Sequence, residues 1–291
     1  MKQRKPPLSP VVALKGMAIG VANIIPGVSG GTIAVITGLY EELMEAFGSF
    51  FSSEGGWKRN LLFLVPLMAG LLFGNVAFAR LIGWLMATVP SQTNFFFMGL
   101  IIGSAPYLIK KAGGVKFSPW YLLSFAAALT VVLWMGLAER PSSSEPITEV
   151  TLTAVGAMLA VSLIASFAMV IPGVSGSFIL LLFGMYSTMT AAFSSLNIPF
   201  IAVFVGGHVA GVVLIAKLIS YLLRKFHGIT YYAIIGLVLG SVVSLYDGIG
   251  FDVTGLTSIA AAVFGCMVSI LLGSGTRDRL LQSAQSQDIT R

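Results

Sequence analysis

The sequence predicts an all-α integral membrane protein made of two inverted repeats. Each repeat is expected to contain a re-entrant helical hairpin, broken by Pro and Gly, followed by three transmembrane helices. The prediction depends on the composition, on a six-residue sequence that occurs twice, and on the placement of basic residues. Of the 291 residues, 56% are hydrophobic and 10% are charged, whereas a soluble domain has about 25% charged residues. A soluble enzyme, a nucleic-acid-binding module and a disordered chain are therefore excluded, and no nucleic acid partner is expected.

The chain has few residues that could bind a metal ion or form a disulfide. Cys266 is the single cysteine, and His208 and His227 are the two histidines. A disulfide scaffold or a Cys/His metal cluster needs several such residues. We therefore expect no metal and no cofactor.

Eight apolar segments can be recognised, when about 20 residues are taken as one membrane crossing. They cover 11–47, 61–87, 90–109, 120–137, 150–193, 198–223, 229–246 and 256–272. The first and fifth are too long for one crossing, and both contain Pro-Gly-Val-Ser-Gly. Because hydrophobicity continues to Leu272, we interpret the first segment as part of a multispanning protein and not as a signal peptide.

The chain contains an internal repeat. The six residues from Ile25 to Gly30 recur from Ile171 to Gly176, an offset of 146 residues, and the offset becomes 137 beyond a longer first-half loop at 52–60. The matched positions include Gly38 and Gly184, Gly70 and Gly207, Gly74 and Gly211, Arg80 and Lys217, Gly99 and Gly236, and Gly103 and Gly240. Collinear matches of this kind indicate a duplication.

The basic residues predict how the repeats cross the membrane. If both long segments enter and leave by one face, nearly all Lys and Arg side chains outside the spans fall on the cytoplasmic side, together with both termini. The two halves are then inverted, which is a common transporter architecture. The resulting division is a basic cytoplasmic tail (1–10), a first repeat (11–140), an extracytoplasmic linker (141–149), a second repeat (150–275) and a cytoplasmic tail (276–291).

The two broken segments are the candidate functional site. Pro26 and Pro172 block a continuing helix, and Ser29 and Ser175 suit the N-cap of the helix that follows. Irregular backbone at membrane depth must be buried in protein or line a wet cavity, and its free N–H groups would favour an anion near the midplane. The alternative is a glycine kink used only for close helix packing. The candidate anion-binding residues in the turns are Pro26, Gly27, Val28, Ser29, Gly30, Gly31, Thr32, Pro172, Gly173, Val174, Ser175, Gly176 and Ser177.

Four further charged or titratable residues are candidates. Arg80 and Lys217 lie within spans at matched positions, and they could capture an anion near opposite faces or extend to lipid headgroups. Glu41 could carry a coupling proton, whereas an exposed cytoplasmic helix end is the favoured interpretation of Glu42 and Glu45. His208 could titrate near neutral pH, but a packing role is the simpler interpretation.

The turn sequences resemble a known bacterial family. The run from Gly20 to Thr32, followed by Gly38-Leu39-Tyr40-Glu41, is similar to the signature of the polyprenyl-phosphate transporters, the PopT-type undecaprenyl-phosphate translocases, formerly a domain of unknown function. The second copy, with Gly184-Met185-Tyr186, is similar to that family's second motif. The resemblance covers about residues 11–273. It implies return of undecaprenyl phosphate from the outer to the inner leaflet of the cytoplasmic membrane, with the two motif turns as the phosphate site.

Three alternatives stay open at the level of sequence. An intramembrane undecaprenyl-pyrophosphate phosphatase can share inverted repeats and a Pro-Gly-x-Ser turn, but neither turn here carries the arginine that would stabilise a phosphoryl transition state. A transporter of another anion would show the same kind of site. A membrane scaffold would not need two matched broken helices. The sequence also leaves open whether the protein forms a homo-oligomer, since small-residue faces pack within or between chains.

Overall fold

The structure is a computed structural model that describes residues 9–25, 28–50, 57–113, 118–137 and 145–288, with side chains described from 10 to 272 within these ranges. The described residues form helices and no strand. The helices are α1 (Ser9–Asn23), α2 (Gly30–Ile36), α3 (Tyr40–Gly48), α4 (Trp57–Thr88), α5 (Pro90–Lys111), α6 (Pro119–Leu137), α7 (Leu152–Val170), α8 (Gly176–Leu182), α9 (Tyr186–Ser194), α10 (Ile198–Lys225), α11 (His227–Gly240) and α12 (Val253–Asp288). A short 3₁₀ helix, Ser241–Leu245, extends α11.

The predicted membrane character is confirmed by the helices. Among the described residues, six helical stretches are long and apolar enough to cross a membrane, namely Trp57–Thr88, Pro119–Leu137, Leu152–Val170, Ile198–Lys225, His227–Leu245 and Val253–Leu272. Many large apolar side chains on their outer faces are exposed. An outward-facing apolar surface is what a lipid environment requires, because lipid tails are as apolar as these side chains.

The first half is built on a close pair of parallel helices, α1 and α4. A Cβ added to Gly70 would lie 1.9 Å from the carbonyl oxygen of Ala13, and one added to Gly74 would lie 2.3 Å from that of Met17. Real Cβ atoms cannot come so close, so only glycine at these two positions lets the backbones of α1 and α4 touch. The register places the end of α1 beside the middle of α4. The first turn therefore lies inside the bundle.

The second half repeats this pair with α7 and α10. A Cβ added to Gly207 of α10 would lie 2.9 Å from the carbonyl oxygen of Leu159, and one added to Gly211 would lie 2.6 Å from that of Leu163. Each contact is the counterpart of one in the α1–α4 pair at the offsets of 146 and 137 residues. The duplication predicted from the sequence is therefore confirmed by the packing.

The two halves interlock through their last helices. Gly99 of α5 lies against the backbone of Ala262 in α12, and Gly236 of α11 lies against the backbone of Phe125 in α6. Thus α5 of the first half packs on α12, the last helix of the second half, and α11 of the second half packs on α6, the last helix of the first half. The two contacts are again related by an offset of 137 residues. This exchange joins the halves into one bundle.

The helix ends gather into two faces of opposite charge. The basic face carries the ends of α4, α5, α10 and α11, where the His227 ring bonds the Lys111 carbonyl oxygen at 2.9 Å. The acidic face carries the other helix ends, where the Ser91 hydroxyl donates to Asp247 at 3.1 Å. The basic face contains Lys58, Arg59, Lys110, Lys111, Arg224 and Lys225, and the acidic face contains Glu145, Glu149, Asp247 and Asp252. Both broken segments return to the face from which they start, as the charge pattern predicts.

Each broken segment contains the predicted helix, turn and helix, and a third short helix that was not predicted. A second break follows α2 at Gly38, with φ of +71°, and follows α8 at Gly184, with φ of +66°. A left-handed backbone ends a helix and is accessible to glycine at little cost. The break bends α9 by 108° relative to α8. The loop predicted at 52–60 is also shorter, because α4 begins at Trp57.

Candidate functional site

The two turns have matching local geometry where both are described. The N–H of Val28 donates to the Ile25 carbonyl oxygen at 3.2 Å, and the N–H of Val174 donates to that of Ile171 at 3.4 Å. Ser29 and Ser175 occupy the N-cap positions of α2 and α8 with extended backbone angles, as predicted. Neither side chain makes a capping hydrogen bond, so both hydroxyl groups are free of that role.

The two turns touch each other inside the bundle. The N–H of Gly173 donates to the Thr32 side-chain oxygen at 2.9 Å, and Thr32 is fully buried. A Cβ on Gly31 would lie 2.9 Å from the carbonyl oxygen of Val170, so the backbone of α2 rests on the end of α7. The two turns are therefore in direct contact. Pro26 and Gly27, the first two residues of the first turn's candidate site, lie outside the described residues.

The turns differ in exposure even though their motifs are identical. Ser29 and Thr32 of the first turn are buried, whereas Ser175 and Ser177 of the second turn are exposed. The two exposed hydroxyl oxygens lie 2.8 Å apart and share a hydrogen bond. Two adjacent hydroxyl groups that can each donate are suited to binding phosphate oxygens. The polar groups available to a ligand are therefore those of the second turn.

Arg80 and Lys217 are not brought to the turns. Both side chains are exposed on the outer parts of α4 and α10, about two helical turns from an end. Neither forms an ion pair with the described residues. Arg80 lies toward the acidic face and Lys217 toward the basic face, so they stand near opposite entrances, as expected from the inverted repeat.

Glu41 lies in a polar cluster at the basic face that sequence reasoning did not find. Its carboxylate pairs with the Lys111 ammonium group at 3.3 Å and accepts a hydrogen bond from the Tyr231 hydroxyl. The Tyr231 ring packs against that of His227, with centroids 4.8 Å apart. Glu41, Lys111 and Tyr231 line a small cavity together with Tyr107. Both direct partners favour the charged carboxylate. The partners come from α5 and α11, far away in the chain, so no local signal could have shown them.

His208 lies elsewhere, between α10 and α7. Its Nε2 atom is 3.3 Å from the Met169 sulfur, and its ring stacks on Phe204 at a centroid distance of 5.5 Å. The Nδ1 atom is buried without a hydrogen-bond partner among the described residues. No described contact joins His208 to Glu41, so the two predicted coupling residues do not form one site. Groups of three or more metal-ligating side chains are absent from the described residues.

Comparison with known proteins gives a consistent family assignment. Residues 19–253 match the model of a family described as undecaprenyl phosphate translocase-like. A polyprenyl-phosphate transporter of Vibrio cholerae is 35% identical over 248 residues, which cover 80% of this chain and 76% of the relative. A polyprenyl-phosphate transporter of Staphylococcus aureus is 32% identical over 275 residues, or 91% and 96% of the two chains. No solved structure matches. The chain belongs to the undecaprenyl phosphate translocase-like family.

Proposed function

We propose that this member of the undecaprenyl phosphate translocase-like family is a polyprenyl-phosphate transporter, and that it returns undecaprenyl phosphate from the outer to the inner leaflet of the bacterial cytoplasmic membrane. The observation that carries the proposal is the contact of two polar turns inside a predominantly apolar bundle. The names of the two bacterial relatives and of the family support the substrate class.

The physical problem of this transport is the charged headgroup. Moving a phosphate through hydrocarbon without compensation costs many kcal/mol, because its charge loses water. Hydroxyl groups and turn N–H groups inside the bundle can replace part of that water. The prenyl tail needs no polar site, since the exposed apolar surface of α4 and α8 lets it stay in lipid.

The proposed phosphate site is centred on the exposed hydroxyl groups of Ser175 and Ser177. The remaining turn residues shape the backbone around them, and Thr32 fixes the second turn through Gly173. Arg80 and Lys217 attract the headgroup near the two faces, as cations near a membrane surface do. The matched positions carry arginine in one half and lysine in the other. Lysine keeps the charge but cannot bind phosphate in the bidentate geometry of arginine, so the shared property of the two positions is long-range attraction.

Coupling to an ion gradient is a further part of the proposal. Glu41 is the candidate proton carrier, because its ion pair with Lys111 would break when the carboxylate is protonated. His208 is a second candidate, since its Nδ1 atom has no partner in the described structure. Transport that is unchanged after proton and sodium gradients are collapsed would reject coupling.

Transport, and not catalysis, is proposed because of what surrounds the turn hydroxyls. A phosphatase needs a cation at the transferred phosphoryl group. The described contacts of Ser175 and Ser177 include no basic side chain, and Glu41 is engaged by Lys111 and Tyr231. Release of inorganic phosphate from undecaprenyl pyrophosphate by the purified protein would contradict this part of the proposal.

The orientation follows from charge. We place the basic face in the cytoplasm with both termini, which makes residues 141–149 an extracytoplasmic linker between the repeats at 11–140 and 150–275 and leaves 1–10 and 276–291 as cytoplasmic tails. Labelling of single cysteines introduced at Lys225 and Asp252, in a Cys266→Ala background, tests this in intact cells. A membrane-impermeant reagent should label position 252 and spare position 225.

The experiment that tests the function is reconstitution in liposomes. Purified protein is incorporated with undecaprenyl phosphate, and movement of the phosphate headgroup between leaflets is followed with a reagent that reaches the outer leaflet only. Exchange above that of protein-free vesicles, and no exchange of a diacyl phosphatidic acid, is expected. Exchange of both lipids alike would replace the proposal with unspecific scrambling, and exchange of neither would reject it.

A further inference from the structure

The helix that closes the first broken segment reaches across to the other half. α3 packs along α10 near the basic face. A Cβ on Gly48 would lie 3.1 Å from the backbone nitrogen of Lys217, so the two helices are in backbone contact at this point. This contact joins the first repeat to the second, and it covers the end of α10 that leads to Lys225.

The repeat defines where the counterpart of this contact should be. At an offset of 146 residues Gly48 corresponds to Ser194 on α9, and at 137 residues Lys217 corresponds to Arg80 on α4. α9 instead packs on α10 of its own half, and no comparable packing of α9 on α4 exists among the described residues. Ser194 and Arg80 are both exposed. The contact between α3 and α10 is therefore made near the basic face, whereas its counterpart between α9 and α4 is not made near the acidic face.

The short helices after the turns show the same difference. α2 packs against α5, α7 and α12 as well as its own neighbours, whereas α8 packs against α7 and α9, which belong to its own half. The short helix α2 therefore packs against helices of both halves, whereas the packing partners of α8 belong to its own half. Two inverted halves that share one sequence plan are expected to exchange such arrangements during transport.

A polar cluster that contains an ion pair fastens the first of the two segments. Glu41, at the start of α3, is bonded to Lys111 of α5 and Tyr231 of α11, and we call these three residues the Glu41 latch. Their counterparts in the other half are Ser187, Gly248 and Asn94. A serine, a glycine and an asparagine cannot form an ion pair, so the second half has no equivalent charge interaction.

Asn94, the counterpart of Tyr231, has an unsatisfied hydrogen-bond acceptor in this state. The Oδ1 atom of Asn94 is buried and accepts no hydrogen bond from the described residues. An acceptor in that condition carries a free-energy penalty that a donor would relieve. By the repeat, the donor that would reach Asn94 is the hydroxyl of Ser187, just as Tyr231 reaches Glu41 in the first half.

We propose that α3 and α9 are the two gates of the transporter, and that this structure is the state closed at the basic face and open at the acidic face. The Glu41 latch holds α3 in place. In the opposite state α9 lies on α4, with Ser194 beside Arg80 and Ser187 bonded to Asn94, while α3 leaves α10. The proposal rests on the proposed transport function and assigns its gating.

Two consequences follow for the substrate. In the present state the Ser175 and Ser177 hydroxyls are exposed while the first turn is covered, so a headgroup enters from the acidic side. Because the latch has no charged counterpart, the state seen here is the favoured one without substrate. Closing α9 needs only a serine-to-amide hydrogen bond, which is weaker than an ion pair with a hydroxyl donor.

The test measures two matched distances by pulsed electron spin resonance in nanodiscs, without substrate. Spin labels are attached to cysteines at Glu45 and Leu218 for the closed gate, and at Ala191 and Leu81 for the open one, in a Cys266→Ala background. The second pair is the repeat counterpart of the first. The variants are Glu41→Gln, which keeps the shape of the side chain, and Tyr231→Phe, which keeps the ring. Ser187→Ala is the matched control in the other half.

The expected result is a change of both distances in opposite directions. Glu41→Gln should raise about tenfold a component in which the 45–218 distance is longer and the 191–81 distance is shorter. Tyr231→Phe should raise the same component less, and Ser187→Ala should not raise it. Unchanged distances in both latch variants would overturn the proposal, and so would a longer 45–218 distance with an unchanged 191–81 distance. Since no lipid is transported in this measurement, its failure is distinct from failure of the proposed function.

Discussion

The two broken segments share six identical residues, yet they occupy different settings. In the first, α2 packs against α5, α7 and α12, and the segment is fastened at Glu41. In the second, α8 packs within its own half, and Ser175 and Ser177 are exposed. The shared residues give both turns the same local hydrogen bond. The difference comes from positions where the repeats diverge, such as Thr32 against Phe178. Motif identity therefore fixes the shape of a turn and leaves its surroundings to the rest of the chain.

The largest effect is expected at Gly173 in the second turn, which packs against the backbone of α11. Gly173 has φ of +79°, and a Cβ there would lie 2.3 Å from the Leu237 carbonyl oxygen. Gly173→Ala should therefore destabilise the protein by about 2–5 kcal/mol, from left-handed backbone strain and overpacking. Thermal unfolding in detergent measures this. Gly206→Ala is the control, because nothing lies near that position, and equal melting of the two variants would contradict the described contact.

A smaller effect is expected from the hydrogen bond that joins the turns. Thr32→Val keeps the size of the side chain and removes the acceptor of the Gly173 N–H. A buried donor left without a partner costs about 1–3 kcal/mol. The loss should appear in the same unfolding assay, and Thr32→Ser should restore most of it because the hydroxyl returns. No difference between the valine and serine variants would show that the bond does not join the two halves.

The smallest effect is expected from the ion pair that is present in the first half and has no charged counterpart in the second. Glu41 and Lys111 are 35% and 24% exposed, and pairs with such access to solvent contribute about 0.2–1 kcal/mol. A double-mutant cycle with Glu41→Gln and Lys111→Gln should give a coupling energy in that range, and raised salt should reduce it. A coupling energy of zero at low salt would remove the electrostatic part of the latch.

Much of the fold could be predicted because the apolar segments and the internal repeat can be recognised directly in the sequence. The eight apolar segments correspond to the helices, and glycines such as Gly70 and Gly207 mark the close helix pairs. The second break in each long segment was missed, although Gly38 and Gly184 were recognised as matched positions. A single glycine inside an apolar run is compatible with a helix, so its left-handed conformation could not be deduced from the sequence alone.

The site was predicted less completely. The turn residues and the N-cap positions of Ser29 and Ser175 follow from local backbone rules, and their contact follows from the repeat. The partners of Glu41 do not, because Lys111 and Tyr231 come from distant helices. The different exposure of the two turns also could not be predicted, since identical residues give identical local signals. Whether the turns bind phosphate stays a prediction.

The central claim is that the exposed hydroxyls of the second turn receive the phosphate headgroup. The most direct measurement is leaflet exchange of undecaprenyl phosphate by Ser175→Ala/Ser177→Ala in liposomes, beside wild type and Thr254→Val. This control removes the hydroxyl of an exposed residue on α12, away from the turns and from the gate helices. Loss of hydrogen bonds to a charged group predicts a fall of about tenfold or more in the double variant and no change in the control. Exchange at the wild-type rate in a correctly folded double variant would contradict the claim.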